Sequence, residues 1–223
     1  MGRLLGWTGL LALGYPVVSL LVFLSQRSFI YFPQPAADPS GRLELQVQGK
    51  RVLVAHRPHP GPRTLIYFGG NAEDVSLSRS ALHAHVAERH SAVTVAGRSL
   101  GTGPAVHLAA TQPVKRLVLL VPFDSLLAVA RGTMPWLPVD LLLLDRWDAA
   151  AEAPLVRAPT TIVAAAVDRV VPTRHAVALH RAFQPGVAEL VLVPDLDHNS
   201  PILSSAAFRA ALQDQEPGRS HSR

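Results

Sequence analysis

The strongest chemical signal in the chain is a serine held between two glycines. Gly97-Arg98-Ser99-Leu100-Gly101 follows the apolar run Ala92–Ala96 and precedes a stretch containing Ala105, Ala109 and Ala110. A serine on a tight strand-to-helix turn projects its hydroxyl as a nucleophile. The residues two positions to either side must then be tiny, so that strand and helix can approach. Gly97 and Gly101 meet that need, and Gly103 relieves the next turn. Two rival readings of these glycines fail. A phosphate-cradling loop of the form G-x-x-x-x-G-K-[ST] needs a lysine that is absent here. A dinucleotide-binding turn starting at Gly101-Thr102-Gly103 lacks its third glycine, because Val106 stands there.

A serine hydroxyl is a weak nucleophile until a base takes its proton, and the base needs an acid to fix its orientation. On a strand–turn–helix serine site these follow in the order Ser, Asp, His. The apolar run Thr160–Ala166 ends in Val167-Asp168-Arg169, which places Asp168 where a strand gives way to a loop. The run Glu189–Val193 leads into Asp195-Leu196-Asp197-His198. Ten histidines are present, so residue type selects none of them. Position selects His198, at the end of the last strand. Asp124, after Arg116–Val121, is the competing acid. Asp195 and Asp197 are closer to the base in sequence, but neighbours on one loop rarely orient each other.

Attack on a carbonyl also needs two backbone donors for the developing oxyanion. The amide of Leu100, next to the nucleophile, is one. The loop Gly69-Gly70-Asn71-Ala72-Glu73-Asp74 after Thr64–Phe68 offers the other, and Asn71 is the choice, with Gly70 and Ala72 remaining open. Asn71 also suits a helix cap.

These residues need strand ends to carry them. Thr64–Phe68, Ala92–Ala96, Arg116–Val121, Thr160–Ala166 and Glu189–Val193 read as buried strands. Helical stretches run over Val75–Arg89, Pro104–Ala110, Val139–Arg146, Arg174–Phe183 and Pro201–Gln213. The alternation predicts an α/β fold with a mostly parallel sheet and helices on both faces. Leu43–Gln48 and Val52–His56 form a hairpin signal. Residues 134–144, with Trp136 and several leucines, fit a cap over the site and a core helix equally well.

Composition narrows the chemistry further. With 223 residues, 48% hydrophobic and 17% charged, the chain suits one packed domain with an appendage. It has no cysteine, which excludes disulfides, thiolate metal sites and a cysteine nucleophile. The net charge of +5 is scattered rather than gathered in a stripe, which argues against nucleic acid as a partner. Only Lys50 and Lys115 are lysines among 21 basic residues, an arginine bias that with abundant alanine points to a GC-rich bacterial genome.

Leu4–Ser25 carries no charge. As a helix it would be roughly 33 Å long, enough for a hydrocarbon core of about 30 Å. Arg3 and Arg27 flank it, and no small-residue cleavage site follows. The expectation is a single-pass signal anchor over residues 1–27 in a bacterial inner membrane, with the side of the catalytic domain open. A linker over 28–41, a catalytic domain over 42–216 and a disordered tail over 217–223 complete the expected organisation.

The motifs Phe68-Gly69-Gly70-Asn71-Ala72, Gly97-Arg98-Ser99-Leu100-Gly101-Thr102-Gly103, Val167-Asp168-Arg169-Val170-Val171-Pro172 and Asp197-His198 together resemble the α/β-hydrolase superfamily. The resemblance is to its small membrane-anchored serine hydrolases. It implies hydrolysis of esters, thioesters or amides through an acyl-serine, with no metal or organic cofactor. Carboxylesterase, thioesterase and lipase-like activities all fit, on substrates that include acyl-chain compounds. A catalytically impaired remnant acting as a binding module is the alternative. Family members carry a further strand between the oxyanion loop and the nucleophile. Here Asn71 and Ser99 are only 28 positions apart, so the resemblance implies that a segment of about 40 residues, the size of a strand with its helices, is missing, with the gap between Asp74 and Ala81 or close to it. In the family's strand order the strands ending at Phe68 and Ala96 are neighbours. A right-handed crossover would then put the Val75–Arg89 helix on the same face as the helix after Ser99.

Overall fold

In the computed structural model residues 2–58, 61–83 and 92–212 are described, the side chains of residues 2–13, His83 and Ala92 excepted. The chain enters as helix α1 (Gly2–Ile30) and continues into a hairpin, β1 (Arg42–Val47) and β2 (Lys50–Ala55). There follow β3 (Arg63–Phe68), α2 (Val75–His83), β4 (Ala92–Arg98), α3 (Thr102–Thr111) and β5 (Arg116–Leu120). Three short helices come next: α4 (Leu126–Thr133), α5 (Val139–Leu142) and α6 (Ala149–Glu152). β6 (Thr160–Ala165), α7 (Arg174–Ala182), β7 (Ala188–Val193) and α8 (Ala206–Leu212) complete the order.

β3 to β7 form one parallel sheet in sequence order. Its centre is β5 and β6, whose residues are all buried. Near-continuous runs such as Leu117-Val118-Leu119-Leu120 are what a strand covered on both faces requires. On one face Val95, Leu117, Leu119 and Ile162 meet Ala105 and Val106 of α3, Ala149 of α6 and Leu179 of α7. On the other, Ala96, Val118, Leu120 and Val163 meet Ile202 and Phe208. The register sets Phe68 opposite Gly97, so the loops after β3 and β4 leave the sheet at the same, carboxyl, end.

The hairpin turns through Gln48 and Gly49, both at positive φ (49° and 74°), the geometry that matches strand twist in a two-residue loop. It forms its own two-stranded sheet, separate from the five-stranded one. Leu43, Leu45, Val47, Val52 and Leu53 are all exposed on it.

Several expectations are corrected. Leu82 of α2 packs with the Ile202–Phe208 cluster, so α2 covers the α8 face and not the α3 face. A helix beginning at Val75 is present, but residues 84–91 of the expected span lie outside the described residues. Val139–Arg146 shortens to one turn. Pro201–Gln213 breaks into a 3-10 turn at Ile202–Ser204 and α8, and α4 was not foreseen. The tail after Glu216 also lies outside the described residues.

The membrane anchor is withdrawn. Among the described residues no helix is long and apolar enough to cross a membrane. The second half of α1 uses its polar groups to dock on the domain instead. Gln26 is buried, donates to the Leu142 carbonyl (3.0 Å) and accepts from the Leu144 amide (2.9 Å). Arg27 forms a two-pronged pair with Asp145, at 3.1 Å for each contact, and the Tyr15 hydroxyl donates to the Trp136 carbonyl (3.0 Å). The side chains of residues 1–13 lie outside the description. The stretch expected to be a linker is likewise tied down. The Phe32 amide donates to Asn71 Oδ1 (2.9 Å), the Ala37 amide to Asp74 (2.7 Å), and Arg79 pairs with Asp38.

Candidate active site

Ser99 sits at positive φ (49°) directly after β4. A non-glycine residue held there costs about 1–3 kcal/mol, which the packing around it must supply. That packing admits nothing larger than hydrogen at the two flanking glycines. A Cβ on Gly97 would stand 2.5 Å from the Gly101 carbonyl oxygen and 2.6 Å from the Ala105 Cβ. A Cβ on Gly101 would stand 2.1 Å from the Phe68 carbonyl oxygen. Gly103 is small for a different reason: the Trp147 ring lies against it, and a Cβ would be 2.8 Å from that ring.

The structure brings the three expected side chains together. The Ser99 hydroxyl donates to His198 Nε2 (2.8 Å), and His198 Nδ1 donates to Asp168 Oδ2 (2.7 Å). Asp168 and His198 are both buried. The other Asp168 oxygen accepts from the amides of Val170 (2.9 Å) and Val171 (2.8 Å), so the carboxylate cannot rotate away. The competing acid is committed elsewhere. Asp124 accepts from His175 Nδ1 (2.8 Å) and from the Ser125 amide (2.7 Å). Asp197 shapes the loop rather than the base: it accepts from the Asn199 amide and the Ser200 hydroxyl. Those bonds, the hydroxyl's first, hold its carboxyl below the ordinary carboxylate range.

Around Ser99 the loop after β3 supplies the backbone. The Gly70 amide is spent on Glu73 Oε2 (2.8 Å), and the Ala72 amide on its neighbour Asn71 Oδ1 (3.1 Å). Asn71 and Leu100 both line the cavity at Ser99. The Asn71 side chain caps no helix, since its oxygen serves Phe32 and Ala72.

Two residues of this network were not singled out from the sequence. Glu73 is mostly buried and accepts from the Tyr67 hydroxyl (2.9 Å), the Ser78 hydroxyl (2.9 Å), the Gly70 amide and Arg98 (3.4 Å). Burial first, and the Glu73 charge second, push the Tyr67 phenol far up, so it stays a donor. Arg98 then reaches the carbonyl of His198 (3.2 Å), linking the loop after β3 to the loop that carries the base. The only hint in the sequence was that Arg98 fills the first open position of the serine motif.

A cavity of about 700 Å³ opens over Ser99 and His198. Leu126, Val129 and Ala130 of α4, and Trp136, Leu137 and Leu142 around α5, line it. Residues 134–144 thus border the site and belong to neither hydrophobic cluster of the sheet, and α4 borders the same cavity. Among the described residues no group of His, Asp and Glu is arranged to hold a metal ion. The arrangement can pass a proton from a serine to an imidazole backed by a carboxylate, beside an apolar chamber.

No protein-family model matches the chain. Two curated proteins of Mycobacterium tuberculosis are similar to it. Uncharacterized protein MT2364, from strain CDC 1551 / Oshkosh, is 33% identical over 176 residues, which cover 75% of this chain and 61% of that protein. The chain thus spans less than two thirds of that relative's length. Uncharacterized protein Rv2307c, from strain H37Rv, is 30% identical over 259 residues, covering 90% of each chain. Solved structures share the fold. MGS-M2, an alpha/beta hydrolase enzyme from a Medee basin deep-sea metagenome library, superposes with a TM-score of 0.58 at 15% identity, over 79% of this chain and all of that one. The esterase domain from a Rhodothermus marinus protein gives 0.52 at 14% identity, over 76% of this chain and 92% of its own. The fold is that of the α/β-hydrolases, and the chain belongs to the family of the Mycobacterium tuberculosis protein Rv2307c.

Proposed function

We propose that the protein is a serine hydrolase cleaving carboxylic esters, thioesters or amides through an acyl-serine intermediate. The observation that carries this reading is the unbroken chain of hydrogen bonds Ser99–His198–Asp168 opening onto one cavity. Ser99 Oγ attacks the substrate carbonyl carbon while its proton passes to His198 Nε2. Asp168 stabilises the imidazolium and fixes the tautomer. The backbone amides of Leu100 and Asn71 face the developing oxyanion. The bond to the leaving group then breaks, and His198 returns the proton to the departing oxygen, sulfur or nitrogen. Water, deprotonated by the same histidine, releases the acid and restores Ser99. Hydrolase and esterase names among proteins of the same fold support the reaction class.

Replacing Ser99 by Ala is expected to abolish turnover of a p-nitrophenyl ester panel while leaving the melting temperature within a few degrees. Turnover retained by the purified variant would sink the assignment.

The shortened connection between Asn71 and Ser99 reflects, on this reading, the loss of a strand and its helices. Three observations support it. The hairpin β1–β2 stands apart from the main sheet. α2 lies on the face that a right-handed crossover from β3 toward a strand on its far side would occupy. The 259 positions aligned with Rv2307c exceed the 223 residues of the chain, so some of that relative's residues have no counterpart here. The gap then falls after α2 rather than before Ala81. Residues 42–212 act as the hydrolase domain, with α1 and residues 31–40 docked on it.

A further inference from the structure

Resting on the serine-hydrolase reading, we propose that the cavity receives the acyl chain of the substrate and that helix α1 sets the length it accepts. α1 presents Val22, Phe23, Gln26, Phe29 and Ile30 to the cavity. Their spacing of one, four, seven and eight positions after Val22 is one face of a helix. Leu126, Val129 and Leu142 line the same cavity, together with Ser99.

Its lining leaves little for a polar ligand. Gln26 is the polar residue α1 contributes, and its amide is engaged on both sides by Phe23, Leu142 and Leu144. Asn71 Oδ1 is taken by Phe32 and Ala72. Arg98, the one arginine or lysine among the described lining residues, is held by Glu73 and the His198 carbonyl. The Thr133 hydroxyl donates to the Val129 carbonyl, which leaves the Asn199 side chain, beside the catalytic base, as the polar group at the mouth of an otherwise apolar lining, so a sugar or phosphate would lose its water for few partners. An alkyl chain loses nothing and buries methylene groups against the apolar lining. A cavity of about 700 Å³ lies within the range that encloses a ligand of moderate size. The second half of α1 is held at two points: the Tyr15 hydroxyl meets Trp136 and Arg27 meets Asp145, while Gln26 clamps the turn after α5.

The test is a p-nitrophenyl ester series from acetyl to dodecanoyl on the full chain. Active enzyme is counted by titration with a short-chain fluorophosphonate. Each methylene buried is worth about fourfold in kcat/KM, so octanoyl should exceed acetyl by at least about 100-fold. Val22→Trp should cut the octanoyl-to-acetyl ratio at least about tenfold, by filling the chamber. Val22→Ala should raise the dodecanoyl-to-octanoyl ratio, and it is read even where the tryptophan variant fails to fold. A reactive Ser99 with a flat chain-length profile, or ratios unmoved by the Val22 substitutions that fold, would overturn this inference alone. A Ser99 inert to fluorophosphonate in the intact chain would overturn the serine-hydrolase reading and this inference with it.

Discussion

At the scale of single residues, the site depends on who accepts from which histidine. Asp168 is buried, holds two loop amides with one oxygen and His198 with the other. Asp168→Asn presents an amide that favours the wrong imidazole tautomer, so kcat should fall by about 10⁴-fold, the loss known for the same change in a triad protease. Asp124→Asn changes an acceptor of His175 and of the Ser125 amide, neither of them in the trio, and should leave kcat within a few-fold while lowering the melting temperature. Comparing steady-state kinetics and thermal unfolding of the two variants checks this, and the reverse ranking would mean that Asp124 is the acid. Ser99 was legible in the sequence because its backbone geometry forces glycine at fixed positions, with the Phe68 carbonyl and Ala105 closing in on Gly101 and Gly97. The link from Glu73 through Arg98 to the His198 carbonyl was not legible. It joins two loops through the end of β4, all three distant in sequence, and no spacing rule connects them.

Among the elements, the strands were the easiest to read. Runs such as Arg116–Leu120 and Thr160–Ala165 are apolar on both faces, which only a covered parallel strand tolerates. α1 was misread for a related reason. An uncharged apolar run looks alike whether its surroundings are lipid or another helix, and the deciding groups, Gln26 and Arg27, lie at or beyond its end. The face of α2 was misjudged because β3 and β4 were taken to be joined by an ordinary right-handed crossover, whereas Leu82 packs on the α8 face. α4 was overlooked because it is two turns long, with Ser125 as a quiet N-cap whose hydroxyl accepts from the Ala128 amide. The tether following α1 should respond to acid. Asp74 is held below the usual carboxylate range chiefly by Ser76 and then by the Ala37 amide, and Asp38 chiefly by Ser40. A carboxyl whose folded pKa is depressed contributes stability that is present above its unfolded value, 3.8 here, and is lost as pH falls through the folded one. Amide exchange at Ala37 and Ser76, corrected for intrinsic rates, should therefore show protection at pH 5 that fades toward pH 3. Protection independent of pH would show that these carboxylates do not hold the segment.

For the molecule as a whole, two faces of one parallel sheet are packed, yet its first strand is left at an edge and the hairpin before it is exposed. A two-stranded hairpin alone is marginal in water. Hydrogen exchange at β1 and β2 should therefore be fast, and exchange at β5 and β6 should approach the global unfolding limit. Equal protection in both would argue that the hairpin is anchored and that no strand has been lost between them. The site lies at the protected end of this gradient, because Ser99, Asp168 and His198 follow β4, β6 and β7, strands paired through β5. That placement ties the hydrogen-bonded trio to the packed part of the sheet. Whether Ser99 is an activated nucleophile is decided by mass spectrometry of the full chain after brief exposure to a fluorophosphonate. A single adduct is expected on the peptide containing Ser99, absent from Ser99→Ala and strongly slowed in His198→Ala. An adduct on another residue, or an unmodified chain, would rule out the acyl-serine mechanism.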